Sequence, residues 1–202
     1  MIFNLVAEGF TEEIIASRLL PFCGHELGVV YGRKGVEYIR KKAHVFHHQA
    51  SAESGVLVLT DFRDSGATCV PDALQECIFS KISTVPKTFL CRFSVNEIES
   101  WLLADRETIA KFLNVSISRI PLNPENEPFP KKTLIKIARS SRSKAIYNGL
   151  APPPGHHADV GPDYIYLVNE FIKNKWNIEA AINNSKSLER CANRLCALKS
   201  NR

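Results

Sequence analysis

The strongest constraint on the fold is the order of elements in the first half of the chain. Apolar, strand-like segments alternate there with segments of helical periodicity. The clearest strand is Val56–Thr60, which is rich in β-branched residues and ends at Asp61. Strands separated by helices pair in parallel, because each helix carries the chain back across the sheet. The sequence therefore predicts an α/β fold with a mostly parallel sheet flanked by helices.

Apolar patterns and turn residues also set the element boundaries. The predicted strands are Met1–Ala7, Leu27–Tyr31, Val56–Thr60 and Pro86–Val95. The predicted helices are one capped by Thr11 and ending near Pro21, then Val36–Gln49, Pro71–Phe79, Ile98–Phe112, Lys131–Arg139, Tyr164–Lys173 and Leu188–Leu198. We expect a domain over residues 1–115 and a basic, mainly helical C-terminal extension over residues 116–202, packed on the same domain.

Composition excludes several protein classes. With 45% hydrophobic and 23% charged residues, the chain resembles an ordinary globular protein. No apolar run approaches the roughly 20 residues that span a bilayer. The first apolar run follows no basic segment and is interrupted at Glu8, so we expect no secretory signal. Six cysteines without a CxxC pair suggest reduced thiols in a cytoplasmic protein.

Charge is distributed unevenly along the chain. Residues 1–128 carry 16 acidic against 13 basic side chains, whereas residues 129–202 carry 13 basic against 5 acidic ones. An acidic first part and a basic tail suit a metal site that faces a polyanion such as DNA or RNA, although a solvated basic surface gives the same count. The basic cluster after the acidic segments comprises Lys131, Lys132, Lys136, Arg139, Arg142 and Lys144.

Carboxylates follow three of the predicted strands. Glu8 comes just after the first, Asp61 just after the central one, and Glu97 and Glu99 just after the last. Side chains at the carboxyl ends of parallel strands converge at one edge of the sheet. Each pair of like charges at ~4 Å repels by about 4 kcal/mol at an effective dielectric constant of 20. A divalent cation removes that repulsion, and oxygen ligands favour Mg²⁺ or Mn²⁺ over zinc.

Spacing leaves alternatives open for the neighbouring acids. Glu12 lies four residues after Glu8, at a helix start, where it could bind the same metal or favour the helix dipole. Asp64 lies three residues after Asp61 in a loop and could also reach a metal. Glu97 and Glu99 share one face if their strand continues, and diverge by about 160° if the chain is already helical.

Three segments resemble a known family. VAEGFTEE, VLVLTDFRDSG and RFSVNEIESWLLAD are similar to the motifs of a small, stand-alone TOPRIM-like family of unknown function. That family is similar to the TOPRIM domain of OLD-family nucleases. FPKKTLIKI and DVGPDYIYLVNEFI extend the resemblance over nearly the whole chain. The resemblance implies a TOPRIM-like (Rossmann-like) fold.

The resemblance also implies roles for particular residues. On this resemblance, Glu8 would be the first-strand acid that holds a metal and helps to deprotonate or orient an attacking group, and Asp61 would be a direct metal ligand. Glu12, Glu97 and Glu99 resemble the acids that complete a second metal position in the OLD nucleases, and Lys144 is the basic residue to which the resemblance points for catalysis. The usual central motif is Asp-x-Asp, but Arg63 stands two residues after Asp61, so Asp64 would have to substitute.

These observations predict an Mg²⁺- or Mn²⁺-dependent nuclease that hydrolyses phosphodiester bonds of DNA or RNA. The alternative is a non-catalytic TOPRIM-like module in which Arg63 has disabled the metal site and the domain binds nucleic acid or a partner protein. OLD-like proteins often work beside an ABC-type ATPase, and the chain has no GxxxxGK[ST] motif of its own, so a separate ATPase in phage defence is expected. We expect no membrane partner, and the oligomeric state stays open.

Overall fold

A computed structural model describes residues 1–198, apart from the side chain of Cys77. The last four residues of the predicted extension, 199–202, lie outside the described part. The chain forms two compact units: Met1–Val95 together with the segment from Ser187 onward, and Asn96–Lys186. The predicted boundary at residue 115 falls inside the second unit, and the division into domains 1–115 and 116–202 stays a prediction.

The first unit is built on a parallel sheet. Its strands are β1 (Ile2–Ala7), β2 (Glu26–Gly32), β3 (Ser54–Asp61) and β4 (Phe89–Ser94). They lie in the order β2-β1-β3-β4, and all neighbouring pairs are parallel. The predicted α/β fold with a parallel sheet and flanking helices is confirmed, and each predicted strand is found within three residues of its predicted ends.

The described residues also form ten α-helices. They are α1 (Phe10–Phe22), α2 (Val36–Lys42), α3 (Val70–Cys77), α4 (Glu99–Ala104), α5 (Arg106–Leu113), α6 (Pro130–Ala138), α7 (Lys144–Leu150), α8 (Tyr164–Asn174), α9 (Ile178–Asn184) and α10 (Lys186–Cys196). The predicted helix over 36–49 is α-helical only to Lys42 and continues as a 3₁₀ helix, Ala43–Gln49. None of the helices within residues 1–198 combines the length and apolar character needed to cross a bilayer.

Helices cover both faces of the sheet in the first unit. One face carries Val6, Val56 and Val58, which pack in a core cluster with Ile39 of α2 and Ala73 of α3. On the other face, the ring of Phe3 lies 4.8 Å from that of His25, which follows α1. His25 Nε2 donates to the carbonyl oxygen of Leu195 in α10, at 2.8 Å.

The C-terminal helix α10 belongs to the first unit and lies along β4. Ser187 Oγ accepts from the backbone N–H of Val95 at 3.4 Å, just beyond β4, and Arg194 donates to the carbonyl of Lys87, just before β4, at 3.2 Å. The side chains at 188, 191, 192 and 195 are buried, which is the spacing of one helix face. The predicted helix Leu188–Leu198 is confirmed, with its start and its end each two residues earlier.

The second unit is helical and is organised around α4. All six residues of α4 are buried, and the helix packs against α5, α6 and α9. Trp101 and Trp176 are almost fully buried, and the Trp176 indole N–H donates to the Trp101 carbonyl at 3.4 Å. The single helix predicted over 98–112 is two helices, because Asp105 leaves the helical conformation and caps α5 through the N–H of Thr108.

Gly32, at the end of β2 in the first unit, lies so close to β1 that it leaves no room for a side chain. It has a φ of 96°, and a Cβ atom there would lie 2.2 Å from the carbonyl oxygen of Ala7 in β1. Gly35 also has a positive φ, 75°, but no atom lies within 4 Å of its would-be Cβ. We expect Gly35→Ala to lower the free energy of unfolding by about 1–2 kcal/mol through backbone strain alone.

Gly32→Ala adds the clash with Ala7 to the same strain, so we expect a loss of about 3 kcal/mol or more. Urea denaturation of both variants measures the difference. Equal losses would show that β1 moves away from Gly32 at no cost, and would contradict the close approach described here.

Candidate functional site

Glu8 and Asp61 lie at the same edge of the sheet. Glu8 immediately follows β1, and Asp61 is the last residue of β3. The two strands are neighbours in a register that pairs Ala7 with Leu59, so Glu8 continues toward the level of Thr60. The structure thus places at one edge of the sheet two acids that are 53 positions apart in the sequence.

Each of the two carboxylates accepts a hydrogen bond from a hydroxyl on a neighbouring strand. Thr60 Oγ1 donates to Glu8 Oε2 at 2.7 Å, and Ser94 Oγ donates to Asp61 Oδ1 at 2.5 Å. Thr60 and Asp61 are consecutive in β3, so their side chains leave opposite faces of the sheet. Glu8, bonded to Thr60, and Asp61 therefore share an edge but are held on different sides of it.

Glu12 is the third residue of α1 and is nearly buried, with 6% of its surface exposed. Its Oε2 accepts the backbone N–H of Gly9 at 2.9 Å, and Gly9, directly before the helix, is the N-cap residue. The prediction of Thr11 as the N-cap is therefore wrong. The Glu12 carboxylate thus accepts a backbone N–H that has no partner within the helix. This is a helix-capping role, the alternative to metal binding for this acid.

Asp64 and Arg63 lie in a short 3₁₀ helix, Arg63–Ser65, directly after β3. Both are exposed, and the turn closes at Gly66, which is left-handed with a φ of 74°. The backbone carbonyl of Asp64 accepts a hydrogen bond from the guanidinium of Arg40. The Asp64 carboxylate thus lies in an exposed turn, and its role as a substitute metal ligand stays a prediction.

Glu97 and Glu99 belong to the second unit. β4 ends at Ser94, Glu97 lies in an irregular segment, and Glu99 is the first residue of α4, so the alternative in which the strand continues through both acids is wrong. Glu97 Oε2 accepts the backbone N–H of Lys131 at 2.8 Å, in the first turn of α6. The N-terminus of that helix is favourable for a carboxylate.

Glu99 is 2% exposed and is held by two groups that are distant in the sequence. Its Oε1 accepts from the Tyr164 hydroxyl at 2.7 Å and lies 3.6 Å from the Lys131 ammonium nitrogen. The buried Oε2 has no hydrogen-bond partner among the described residues. Burial raises the pKa of Glu99, and the positive charge of Lys131 and the Tyr164 hydroxyl offset only part of that effect.

The raised pKa of Glu99 predicts a pH dependence of stability. A carboxyl group with a higher pKa in the folded protein binds more protons there than in the unfolded chain. The free energy of unfolding therefore falls as pH rises from the unfolded pKa of glutamate, about 4.3, to the folded pKa. Glu99→Gln removes this titration, so its stability relative to the wild type should increase with pH, by at most about 1.4 kcal/mol per unit.

Urea denaturation between pH 4 and pH 8 tests this prediction. Glu107→Gln, which removes an exposed acid in the same unit, is the control and should show no such trend. A constant difference between Glu99→Gln and the wild type across this range would contradict it.

Lys144 is the first residue of α7 in the second unit, and its side chain is exposed. Ser143 caps the helix by accepting the N–H of Ile146 at 3.4 Å. A helix over 144–150 was not predicted from the sequence. The catalytic role of Lys144 stays a prediction.

The carboxylate and hydroxyl oxygens at the sheet edge fit the ligand chemistry of a hard divalent cation. Within residues 1–198, no three His, Cys, Asp or Glu side chains are grouped so that they could hold a metal ion. Comparisons with protein-family models, curated proteins and solved structures gave no match. The TOPRIM-like relation and the metal ligands therefore stay predictions.

Sequence reasoning missed the hydroxyl groups that hold the acids. Ser94 faces Asp61 because the register of β3 and β4 pairs these two residues, and no local pattern reveals that register. Thr60 precedes Asp61 directly and could have been noticed as a neighbouring donor. Tyr164 and Lys131 reach Glu99 from distances of 65 and 32 residues along the chain, which the sequence does not indicate.

Proposed function

We propose that this protein is an Mg²⁺- or Mn²⁺-dependent nuclease that hydrolyses phosphodiester bonds of DNA or RNA. The observation that carries the proposal is the position of Glu8 and Asp61 on adjacent parallel strands, at the edge where α/β sheets bind ligands. Glu8 and Asp61 are the residues we propose to hold the metal. A bound metal would supply charge stabilisation at the phosphate and an activated water.

Two hydroxyl groups of this chain position the proposed metal ligands. Thr60 and Ser94 each donate to one carboxylate oxygen, which restrains the side chains of Glu8 and Asp61. Both hydroxyls are buried, so these hydrogen bonds compete little with water. The basic residues of the second unit, with Lys144 among them, would interact with the charged backbone of the substrate. We also propose that the protein acts in the cytoplasm and that it works with a separate ABC-type ATPase. Both proposals come from the sequence.

The second candidate is a module that binds nucleic acid or a partner protein without catalysis. The hydrogen bonds of Glu8 and Asp61 favour it, because they hold the two carboxylates toward different faces of the sheet. A protein that keeps this arrangement would bind a metal weakly. The two candidates differ in their response to divalent cations.

The test combines metal binding with cleavage. Thermal unfolding is measured with 5 mM Mg²⁺, with 5 mM Mn²⁺ and with EDTA, and the same samples are incubated with supercoiled plasmid and with total tRNA. We expect the nuclease to be stabilised by the metal and to cleave only in its presence, and Glu8→Gln to lose both effects. Absence of stabilisation and of cleavage in the wild type would reject the nuclease and favour the binding module.

A further inference from the structure

The chain has two basic segments, residues 33–42 and residues 131–144, and they differ in how their charges are balanced. In the first unit, Arg33 Nε lies 2.6 Å from Glu13 Oε2, and Arg40 and Lys41 pair with Glu37 at 3.0 and 3.5 Å. The acids of the same unit therefore offset much of this charge. In the second unit, Lys132, Lys136 and Arg139 form no ion pair among the described residues.

Lys132 and Lys136 of α6 and Arg139, its C-cap residue, form a positively charged face of this helix. They are spaced by four and three positions, so they lie on one side of the helix, and all three are exposed. Leu134, Ile137 and Ala138 on the rest of α6 are buried. Like charges at this spacing repel. The ring of Phe129, 5.0 Å from the Lys132 ammonium nitrogen, and the negative end of the helix dipole beside Lys136 and Arg139 offset only part of that repulsion. An anion bound to this face would relieve the repulsion.

A cleft of about 270 Å³ makes this face concave. Lys132, Lys136 and Arg139 line it together with His156 and Asp159 from the loop that follows α7. The loop is fixed at its end, where Gly161 donates to the carbonyl of Leu150 at 2.9 Å. A Cβ atom on Gly161 would lie 2.3 Å from the carbonyl oxygen of Gly149, so this anchoring requires glycine.

Lys136 also lines a second cleft, of about 450 Å³. Its other lining residues include Arg119, Ser118, Ser140 and Leu122. Leu122 is 71% exposed and gives this cleft an apolar surface beside the cations. The acid in this cleft, Glu127, already accepts a hydrogen bond from the Thr133 hydroxyl at 2.8 Å. Together the two clefts are lined by two acids and by four basic residues: Arg119, Lys132, Lys136 and Arg139. Lys136 lines both clefts, so the four basic residues form one continuous surface, which we call the basic track.

We propose that this basic track binds the phosphate backbone of single-stranded nucleic acid. Lys132, Lys136 and Arg139 contact successive phosphates, and Leu122 offers an apolar contact to a base. A flexible single strand can place its phosphates inside clefts of this size, whereas a duplex is a rigid cylinder that touches only their rims. This inference rests on the proposed function, because it supplies the surface that holds the substrate.

The test measures binding without catalysis. A fluorescein-labelled 20-nucleotide single strand, as DNA and as RNA, is titrated in EDTA with the wild type, with Lys136→Gln/Arg139→Gln and with the control Lys41→Gln/Lys42→Gln. Both variants lose two exposed positive charges, so their net charges are equal. We expect Kd to rise at least about tenfold in the track variant and less than about threefold in the control. The slope of log Kd against log salt should fall by about 1.4 only in the track variant.

Each outcome bears on one proposal. Equal weakening by both double variants, tighter binding of a duplex of the same length, or no binding by the wild type would overturn the basic track. Thermal unfolding of the track variant shows whether it is folded, and single substitutions of Lys136 and Arg139 replace it if it is not. Binding that follows the prediction without metal-dependent cleavage would reject the nuclease alone, and full cleavage by the track variant would reject the track alone.

Discussion

Asp61→Asn is expected to lower the rate of metal-dependent cleavage by at least about 100-fold while leaving the fold unchanged. Asparagine has nearly the same shape as aspartate, and its carbonyl oxygen can still accept the hydrogen bond from Ser94 Oγ. The substitution therefore removes the negative charge and little else. If Asp61 holds the metal, the loss of several kcal/mol of charge stabilisation at the transition state corresponds to a factor of this size.

The control for this prediction is Glu13→Gln. Glu13 is an acid of the same unit in the first turn of α1, and its charge is paired with Arg33 at 2.6 Å. We expect its cleavage rate to stay within about twofold of the wild type, because this carboxylate is already engaged in an ion pair. Single-turnover cleavage of a labelled oligonucleotide in Mn²⁺ measures both variants. Undiminished cleavage by Asp61→Asn, or equal losses in both variants, would contradict the role of Asp61.

The strands were the easiest elements to predict, for a physical reason. Seven of the eight residues of β3 are buried, because helices cover both faces of the parallel sheet. A strand of this kind is a continuous apolar run, bounded here by Glu53 and by the acid at its end. The position of Glu8 and Asp61 at one edge followed from the same pattern, since parallel strands have all their carboxyl ends on one side.

The helices of the second unit were harder to predict. α7 and α9 have seven residues each, too few for a convincing helical period, and their caps Ser143 and Asn177 resemble ordinary loop residues. The end of α4 at Asp105 was equally hard to predict from the sequence. Asp105 accepts the N–H of Asn177 at 2.7 Å as well as that of Thr108, so a contact 72 residues away helps to end α4.

The surroundings of the acids could not be predicted, because they depend on pairing between distant segments. The sequence shows which residues are carboxylates but not which donors reach them. Glu12 and Glu97 each accept a backbone N–H at the start of a helix, a role that local sequence permits but does not distinguish from metal binding. Charge counts likewise could not separate the ion-paired basic residues of the first unit from the unpaired face of α6.

Trp101→Ala is expected to lower the free energy of unfolding of the second unit by about 3–5 kcal/mol. Trp101 lies in the middle of α4 and is fully buried. Its truncation removes apolar contacts and leaves a cavity that the surrounding helices can fill only in part. The loss is large beside a typical domain stability of about 5–15 kcal/mol.

Tyr166→Ala is the matched control, since it truncates another aromatic side chain of the same unit that is 65% exposed. We expect that variant to lose less than about 1 kcal/mol, because little apolar surface is buried around Tyr166. Urea denaturation followed by circular dichroism measures both variants. Similar losses for Trp101→Ala and Tyr166→Ala would mean that α4 is not the centre of the unit's core.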